Sequence, residues 1–308
     1  MSTSSNSMHI AIAFDENYLT PVYVLLASLF ENNQGESITV HAIATGISSI
    51  QQNELKQYVL NYTSTICFYS LGDDFANDFA IPATLWWTPA VYYRIMFPAL
   101  LPDYVDKFVY LDTDIVVVGK LRKLYNTVVN DHPIAAVCDF VDSRPDLGIN
   151  EPNSYFNSGV LLVNKDKWIQ KDITGKCIEF IKNNPEKLIY VDQDALNAVL
   201  VNDWQKLDSR FNSMFKENSS NISMKQLRSA LKDIVIVHFT TQHKPWSVLG
   251  ENRLRYLYFK YFEKIPKKYR VRYNDFLWNR HRIRKFLEIR LGEVLAEYPT
   301  LNGLWRKK

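Results

Sequence analysis

The chain has 308 residues, 47% of them hydrophobic and 22% charged, with a formal net charge of +3. That balance suits one large folded domain, or one domain with an appendage, and excludes a disordered or low-complexity chain. No apolar run approaches the roughly 18 residues of a membrane span, and Cys67, Cys138 and Cys177 are too few and too far apart for a disulfide framework or a thiolate metal site.

Residues 1–7 are polar and uncharged and read as a disordered tail; they lack the basic start and apolar core of a secretory signal, which points to a cytosolic protein. Residues 9–14 read as a first buried strand, ended by Asp15-Glu16-Asn17-Tyr18. A helix over 21–31, a strand over 38–44, a serine-capped helix over 48–62 and a third strand over 65–69 follow. Strands alternating with helices imply an α/β fold with a mostly parallel sheet covered on both faces. Ligands of such sheets bind at the carboxyl ends of strands, where Asp15 and Asp112 stand. Residues 84–100 look largely helical and carry Trp86, Trp87, Tyr92, Tyr93 and Arg94; with Trp246, the two tryptophans and Tyr92 form either an acceptor platform or buried packing. Further strands are expected over 107–111, 134–137, 159–163 and 234–238, and a helix over 192–201. Cys67 and Cys138 fall in apolar runs and read as reduced core residues. The polar stretch 143–154, with Pro145, Gly148 and Pro152, predicts a mobile loop.

Four constellations carry chemistry. Asp112 and Asp114, two residues apart where an apolar run ends, present both carboxylates on one side of an extended chain. Hard oxygen ligands suit Mg²⁺ or Mn²⁺ shared with substrate phosphates; a solvated turn is the other reading. His238 ends an apolar strand, where a neutral imidazole can be a third metal ligand, and Lys244 nearby can neutralise a phosphate; a core histidine is the other reading. Asn157 and Ser158, before Gly159, offer small polar groups to sugar hydroxyls, or form an ordinary turn. Asp192-Gln193-Asp194 opens a helix, either with Asp192 and Gln193 facing substrate and Asp194 as buttress, or as acidic residues favoured by the helix dipole.

The order of Ala13-Phe14-Asp15-Glu16-Asn17-Tyr18, Tyr93-Arg94, Tyr110-Leu111-Asp112-Thr113-Asp114, Phe156-Asn157-Ser158-Gly159-Val160, Asp192-Gln193-Asp194, and His238-Phe239 with Lys244-Pro245-Trp246 resembles glycosyltransferase family 8. Within it, the pattern is similar to bacterial lipopolysaccharide α-galactosyl- and α-glucosyltransferases, over residues 8–250. The resemblance implies a GT-A-type nucleotide-sugar transferase fold with a mixed, mainly parallel sheet, Mn²⁺ (or Mg²⁺), a UDP-sugar donor and retention of anomeric configuration. It implies that Asp112, Asp114 and His238 bind the metal, and that Ala13, Asp15, Asn17 and Tyr18 line the uridine pocket. Arg94, Asn157, Ser158, Asp192 and Gln193 would hold the donor sugar, with Asp139 close by and Lys244 on the diphosphate. Thr113 joins the binding set between the two carboxylates, and so does Thr241, which stands where the family often has glycine. Gln193 and Asp192 are the expected catalytic residues, with Gln193 beside an oxocarbenium-like sugar that the acceptor attacks from the leaving-group face.

Residues 251–308 hold 16 Lys or Arg against 6 Asp or Glu, and the rest of the chain 20 against 27. The chain therefore reads as an acidic catalytic domain over 8–250 and a basic helical region over 251–308. Residues 264–290 interleave basic and aromatic side chains, while Phe276, Ile283, Leu287, Leu291 and Val294 follow helical spacing. Such a segment suits an anionic membrane surface, at about 1 kcal/mol per basic residue, or else caps the domain with a solvated basic face; nucleic acid is not expected. Together these readings predict a hexosyltransferase on the inner face of the plasma membrane, acting on a lipopolysaccharide or other cell-surface glycan. A nucleotide-sugar phosphohydrolase and a non-catalytic UDP-sugar or membrane-binding protein are the alternatives.

Overall fold

The structure, a computed structural model, describes residues 7–71, 89–141, 143–214, 223–240, 244–250, 252–273 and 279–298. In chain order the strands are β1 (Met8–Asp15), β2 (Ile38–Thr45), β3 (Thr65–Tyr69), β4 (Lys107–Leu111), β5 (Ile115–Val117), β6 (Ile134–Cys138), β7 (Phe156–Asn164), β8 (Gln205–Lys206), β9 (Ser213–Met214) and β10 (Ile236–His238). The helices are α1 (Leu19–Asn32), α2 (Ser49–Leu60), α3 (Phe97–Leu100), α4 (Arg122–Tyr125), α5 (Lys165–Gln170), α6 (Ile173–Asn183), α7 (Asp192–Val199), α8 (Met224–Ala230), α9 (Arg255–Phe262) and α10 (Arg280–Ala296). They form two compact units, one of Met1–Leu19, Asn33–Thr113 and Lys120–Phe211, the other of Thr20–Asn32, Asp114–Gly119 and Asn212–Lys308.

The first unit is built on a seven-stranded sheet in the order β3-β2-β1-β4-β7-β6-β8. The strands β3, β2, β1 and β4 run parallel, while β7 is antiparallel to both β4 and β6. This mixed, mainly parallel sheet agrees with the expected fold class. The reversal at β7 positions the site. Leu111 pairs with Val160, and Asp112 N–H donates to Gly159 O at 2.8 Å. The start of β7, with Asn157 and Ser158, therefore meets the carboxyl end of β4. The core packs Phe97 against Phe108 and Tyr110, and Phe156 against Trp204. Each such side chain contributes roughly 1.5–3 kcal/mol on burial. The start of α2 is a reciprocal cap: Ser48 Oγ accepts from Gln51 N–H, and the Gln51 side chain accepts from Ser48 N–H.

In the second unit β10 lies between β5, antiparallel to it, and β9, parallel to it. Helix α1 is tied to this sheet and to the C-terminal segment by polar side chains. Ser28 Oγ accepts from Val117 N–H, and Asn32 Nδ2 donates to Val117 O and to Tyr261 Oη. Thr20 Oγ1 donates to Tyr269 O, and the Tyr23 and Tyr269 rings stack 4.4 Å apart. Helix α10 starts at the cap Asn279 and ends where Glu297 takes Met224 N–H and the Arg253 guanidinium.

The described part of 84–100 is helical as expected, as a 3-10 helix, Pro89–Met96, followed by the single turn of α3. Several expectations are corrected. Trp86 and Trp87 lie outside the described residues, and Tyr92 is fully buried in the core, so it offers no acceptor platform. Residues 1–6 also lie outside, whereas Ser7 is hydrogen-bonded to Ser37. Cys67 is exposed and Cys138 partly so; Cys177 is the buried thiol. Cys67 alternates with buried Ile66 along the edge strand β3, which turns it outward. The stretch expected to be mobile holds a 3-10 turn, Pro145–Leu147, closed by an antiparallel bridge between Arg144 and Ile149. Arg144 is buried there by ion pairs that sequence spacing does not reveal.

Candidate active site

In the first unit the site is organised by Arg94, only 8% exposed, on the 3-10 helix Pro89–Met96. Its Nη1 donates to Ser158 O at 2.8 Å and Ser158 Oγ at 2.9 Å; Nη2 lies 3.0 Å from Asp112 Oδ1, and Nε 2.8 Å from Asp192 Oδ2. The guanidinium also lies over the Tyr110 ring, whose hydroxyl donates to Asp112 Oδ1. A rigid planar fork satisfies these partners at once, which the point charge of a lysine does not. Burial pushes the Asp192 carboxyl up to about 7; Arg94 pulls it down and the Asp112 charge adds to the rise.

Gln193 is held at both ends of its amide. Its Oε1 accepts from Ser158 N–H at 3.0 Å and Asn157 Nδ2 at 3.1 Å, and its Nε2 donates to Asp139 Oδ2 at 3.1 Å and Tyr155 Oη at 3.3 Å. Asn157 Nδ2 also donates to Asp139 Oδ2, and Asn157 Oδ1 accepts from Gly159 N–H. Just before α7, Val191 has φ 51° and ψ −114°. A β-branched residue resists that conformation, which persists only where its surroundings impose it. At the end of β1, Ala13 and Asp15 are buried, and Asp15 Oδ1 accepts from Asn17 N–H to cap the turn Glu16–Tyr18. Asn17 is exposed, Tyr18 half-buried and Thr113 buried.

In the second unit Lys244 Nζ donates to Asp114 Oδ2 and to Phe239 O, and His238 Nε2 lies 3.1 Å from Asp114 Oδ1. His238 Nδ1 lies 2.9 Å from Asn212 Oδ1. With that oxygen as acceptor, the imidazole proton sits on Nδ1, and Nε2 turns its lone pair toward the carboxylate. Asp114 Oδ1 is buried, and no hydrogen bond reaches it among the described residues. Burial alone would raise the Asp114 carboxyl; the Lys244 ammonium beside it acts against that and holds it well below the usual carboxylate range. Two electron-pair donors facing one another, the buried Asp114 Oδ1 and His238 Nε2, fit a cation. Thr241 lies outside the described residues.

Sequence reading missed Tyr110, Arg144, Tyr155 and Asn212 as partners of the site residues. Tyr110 and Tyr155 adjoin motifs it did mark, so proximity was an available signal for those two; Arg144 and Asn212 had none.

The sequence profile of glycosyl transferase family 8 matches residues 9–250. The chain belongs to glycosyltransferase family 8. It is 30% identical over 266 residues to general stress protein A of Bacillus subtilis, covering 82% of this chain and 92% of that one. It is 28% identical over 260 residues to lipopolysaccharide 1,3-galactosyltransferase of Salmonella typhimurium, covering 80% and 75%. Its fold superposes on galactosyltransferase LgtC, solved with donor and acceptor sugar analogues, with a TM-score of 0.74 and 24% identity over 85% of this chain and 99% of that chain. The family 8 chain therefore has the GT-A fold that its motifs led one to expect.

Proposed function

We propose that this family 8 glycosyltransferase moves a hexose, galactose or glucose, from a UDP-sugar to a hydroxyl of a lipopolysaccharide or other cell-surface glycan, with retention. The observation that carries the reading is the partly buried Asp114 carboxylate, with its buried Oδ1 facing His238 Nε2 and the other oxygen on Lys244. Asp112 and Asp114, two residues apart on the chain, would hold Mn²⁺ or Mg²⁺ with His238. When bound, that ion supplies Lewis acidity to the diphosphate and stabilises charge on the departing UDP.

The protein's own groups do the rest. The Lys244 ammonium is free to exchange Asp114 for a phosphate oxygen, adding fixed positive charge where the leaving group develops its own. The pocket at the end of β1, from Ala13, Asp15, Asn17 and Tyr18, would receive the uridine. Arg94 holds Asp192 and Ser158 in place to accept sugar hydroxyls, with Asn157 and Asp139 beside them. Gln193 Oε1 already accepts from Asn157 Nδ2, Ser158 N–H and, at 3.4 Å, Ser158 Oγ, and an amide oxygen is a poor nucleophile. Its dipole is suited to an oxocarbenium-like sugar rather than to a covalent adduct. Retention then follows from attack on the face the phosphate leaves, with the acceptor's proton passing to the departing phosphate oxygen.

No helix among the described residues is long and apolar enough to cross a membrane. Helix α10 exposes Ile283, Leu287, Leu291 and Val294, flanked by Arg280, Arg284 and Lys285. That face supports docking on an anionic membrane, where a lipid-linked acceptor lies. The test is incubation with UDP-galactose or UDP-glucose and a saccharide acceptor, followed by NMR of the product. An α-linked sugar is expected; a β-linked product, or free hexose alone with every acceptor, would contradict the reading.

A further inference from the structure

Arg144 stands outside every motif, yet it is 8% exposed and makes four polar contacts. Its Nη1 donates to Asp194 Oδ1 at 2.6 Å, Nη2 to Lys187 O at 2.8 Å and Asp146 Oδ2 at 2.7 Å, and Nε to Asp146 Oδ1 at 2.9 Å. Asp194 is completely buried. Besides Arg144, it accepts from Tyr155 Oη on Oδ1 and from Tyr190 N–H on Oδ2, each at 2.6 Å.

The bond from Tyr190 N–H spans the turn in which Val191 has its positive φ, and the residues that follow at once are Asp192 and Gln193. The bond from Tyr155 reaches the same pair another way, because Tyr155 Oη also accepts from Gln193 Nε2. One carboxylate thus braces both the strained turn and the hydroxyl that orients the Gln193 amide. A buried carboxylate holds that role only while its charge is balanced, and among the described residues Arg144 is the side chain that forms an ion pair with it. Arg144 reaches it from the loop 143–150, whose 3-10 turn and Arg144–Ile149 bridge fix the guanidinium's base. The loop is a strut rather than a lid.

We propose that Arg144 is a positioning residue: acting through Asp194 and Tyr155, it holds the Val191 turn so that Asp192 and Gln193 meet the donor sugar. The inference rests on the assignment of those two residues to the donor. The Arg144 guanidinium hydrogen-bonds Asp146, Lys187 O and Asp194, none of them assigned to the donor or the metal, so its loss should spare UDP binding and affect the rate. Misplacement of a reacting group by about 1 Å costs on the order of 10²-fold.

The experiment compares Arg144→Lys, Tyr155→Phe and Gln193→Ala with wild type, using whichever of UDP-galactose or UDP-glucose the wild type consumes. UDP release gives kcat and KM, and calorimetry gives the affinity for UDP with Mn²⁺. Arg144→Lys keeps the charge and loses the fork. It is expected to lower kcat by about 10- to 100-fold, with KM and UDP affinity within about 2-fold. Tyr155→Phe leaves the ion pair intact and guards against a folding failure of the first variant; a smaller fall in kcat alone is expected. If Gln193→Ala is inactive while Arg144→Lys and Tyr155→Phe turn over at the wild-type rate, the ion pair is merely structural and the proposal is overturned. If Gln193→Ala itself keeps the full rate, the donor assignment fails and the proposal falls with it.

Discussion

Asp192→Asn should make this protein more stable and less active. Asp192 is buried, and its carboxyl is pushed up from 3.8 to about 7. A folded-state value above the unfolded one means that the contribution to stability is full below pH 3.8 and is lost as pH rises through 7. At 1.36 kcal/mol per unit, the roughly 3-unit shift amounts to about 4 kcal/mol of strain at pH 8 in the metal-free protein. Asparagine mimics the neutral acid, so it removes that strain while keeping an acceptor for Arg94 and Ser158. Urea unfolding in chelator, at pH 5 and pH 8, measures it. The stability advantage of Asp192→Asn over wild type should widen by roughly 2 to 3 kcal/mol between those values, while UDP release falls by at least tenfold. An equal gap at both pH values, or a variant less stable than wild type at pH 8, would mean that the Arg94 pairing outweighs burial and that the carboxylate is not held under strain for function.

Lys244→Met removes a cation from Asp114 and from the expected phosphate path at once. Mn²⁺ should bind the free variant more tightly and UDP more weakly, and a fall in both affinities on titration would contradict the exchange of Lys244 between them. His41, fully buried, lies 3.0 Å from His9 Nδ1 and 2.8 Å from Tyr69 Oη, and burial lowers it to about 3, aided by His9. A base whose folded value is depressed contributes stability above its unfolded pKa of 6.5 that is lost as pH falls toward 3. Roughly 2 kcal/mol should go between pH 7 and 5, and His41→Asn should flatten that slope in urea titrations; an unchanged slope would refute it. Leu287→Asp with Leu291→Asp should abolish sedimentation with phosphatidylglycerol vesicles while leaving UDP release intact, and unchanged sedimentation would remove α10 from membrane docking.

Local pattern carried much of the fold. Apolar runs and the serine cap of α2 mark elements whose stabilising contacts are near in sequence, and Asp112 and Asp114 were visible as carboxylates where such a run ends. What escaped depends on contacts across the chain. Arg144 and Asp194 are 50 residues apart, so a buried strut looks like a polar loop with two prolines. His238 could be read as a ligand, but the residue that orients its ring, Asn212, is 26 residues away on a two-residue strand's border. The union of α1 with the C-terminal segment rests on bonds such as that from the Thr20 hydroxyl to the Tyr269 backbone carbonyl, 249 residues apart, which no local pattern marks. Cys67 was misread because an edge strand keeps its alternation even inside an apolar run.

The measurement that tests the central claim most directly is UDP release from a panel of UDP-sugars, with Mn²⁺ and with chelator, by wild type and Asp114→Ala. Turnover of one UDP-hexose that needs the metal and disappears in the variant is the predicted result. Metal-independent release, or wild-type release by Asp114→Ala, would contradict it.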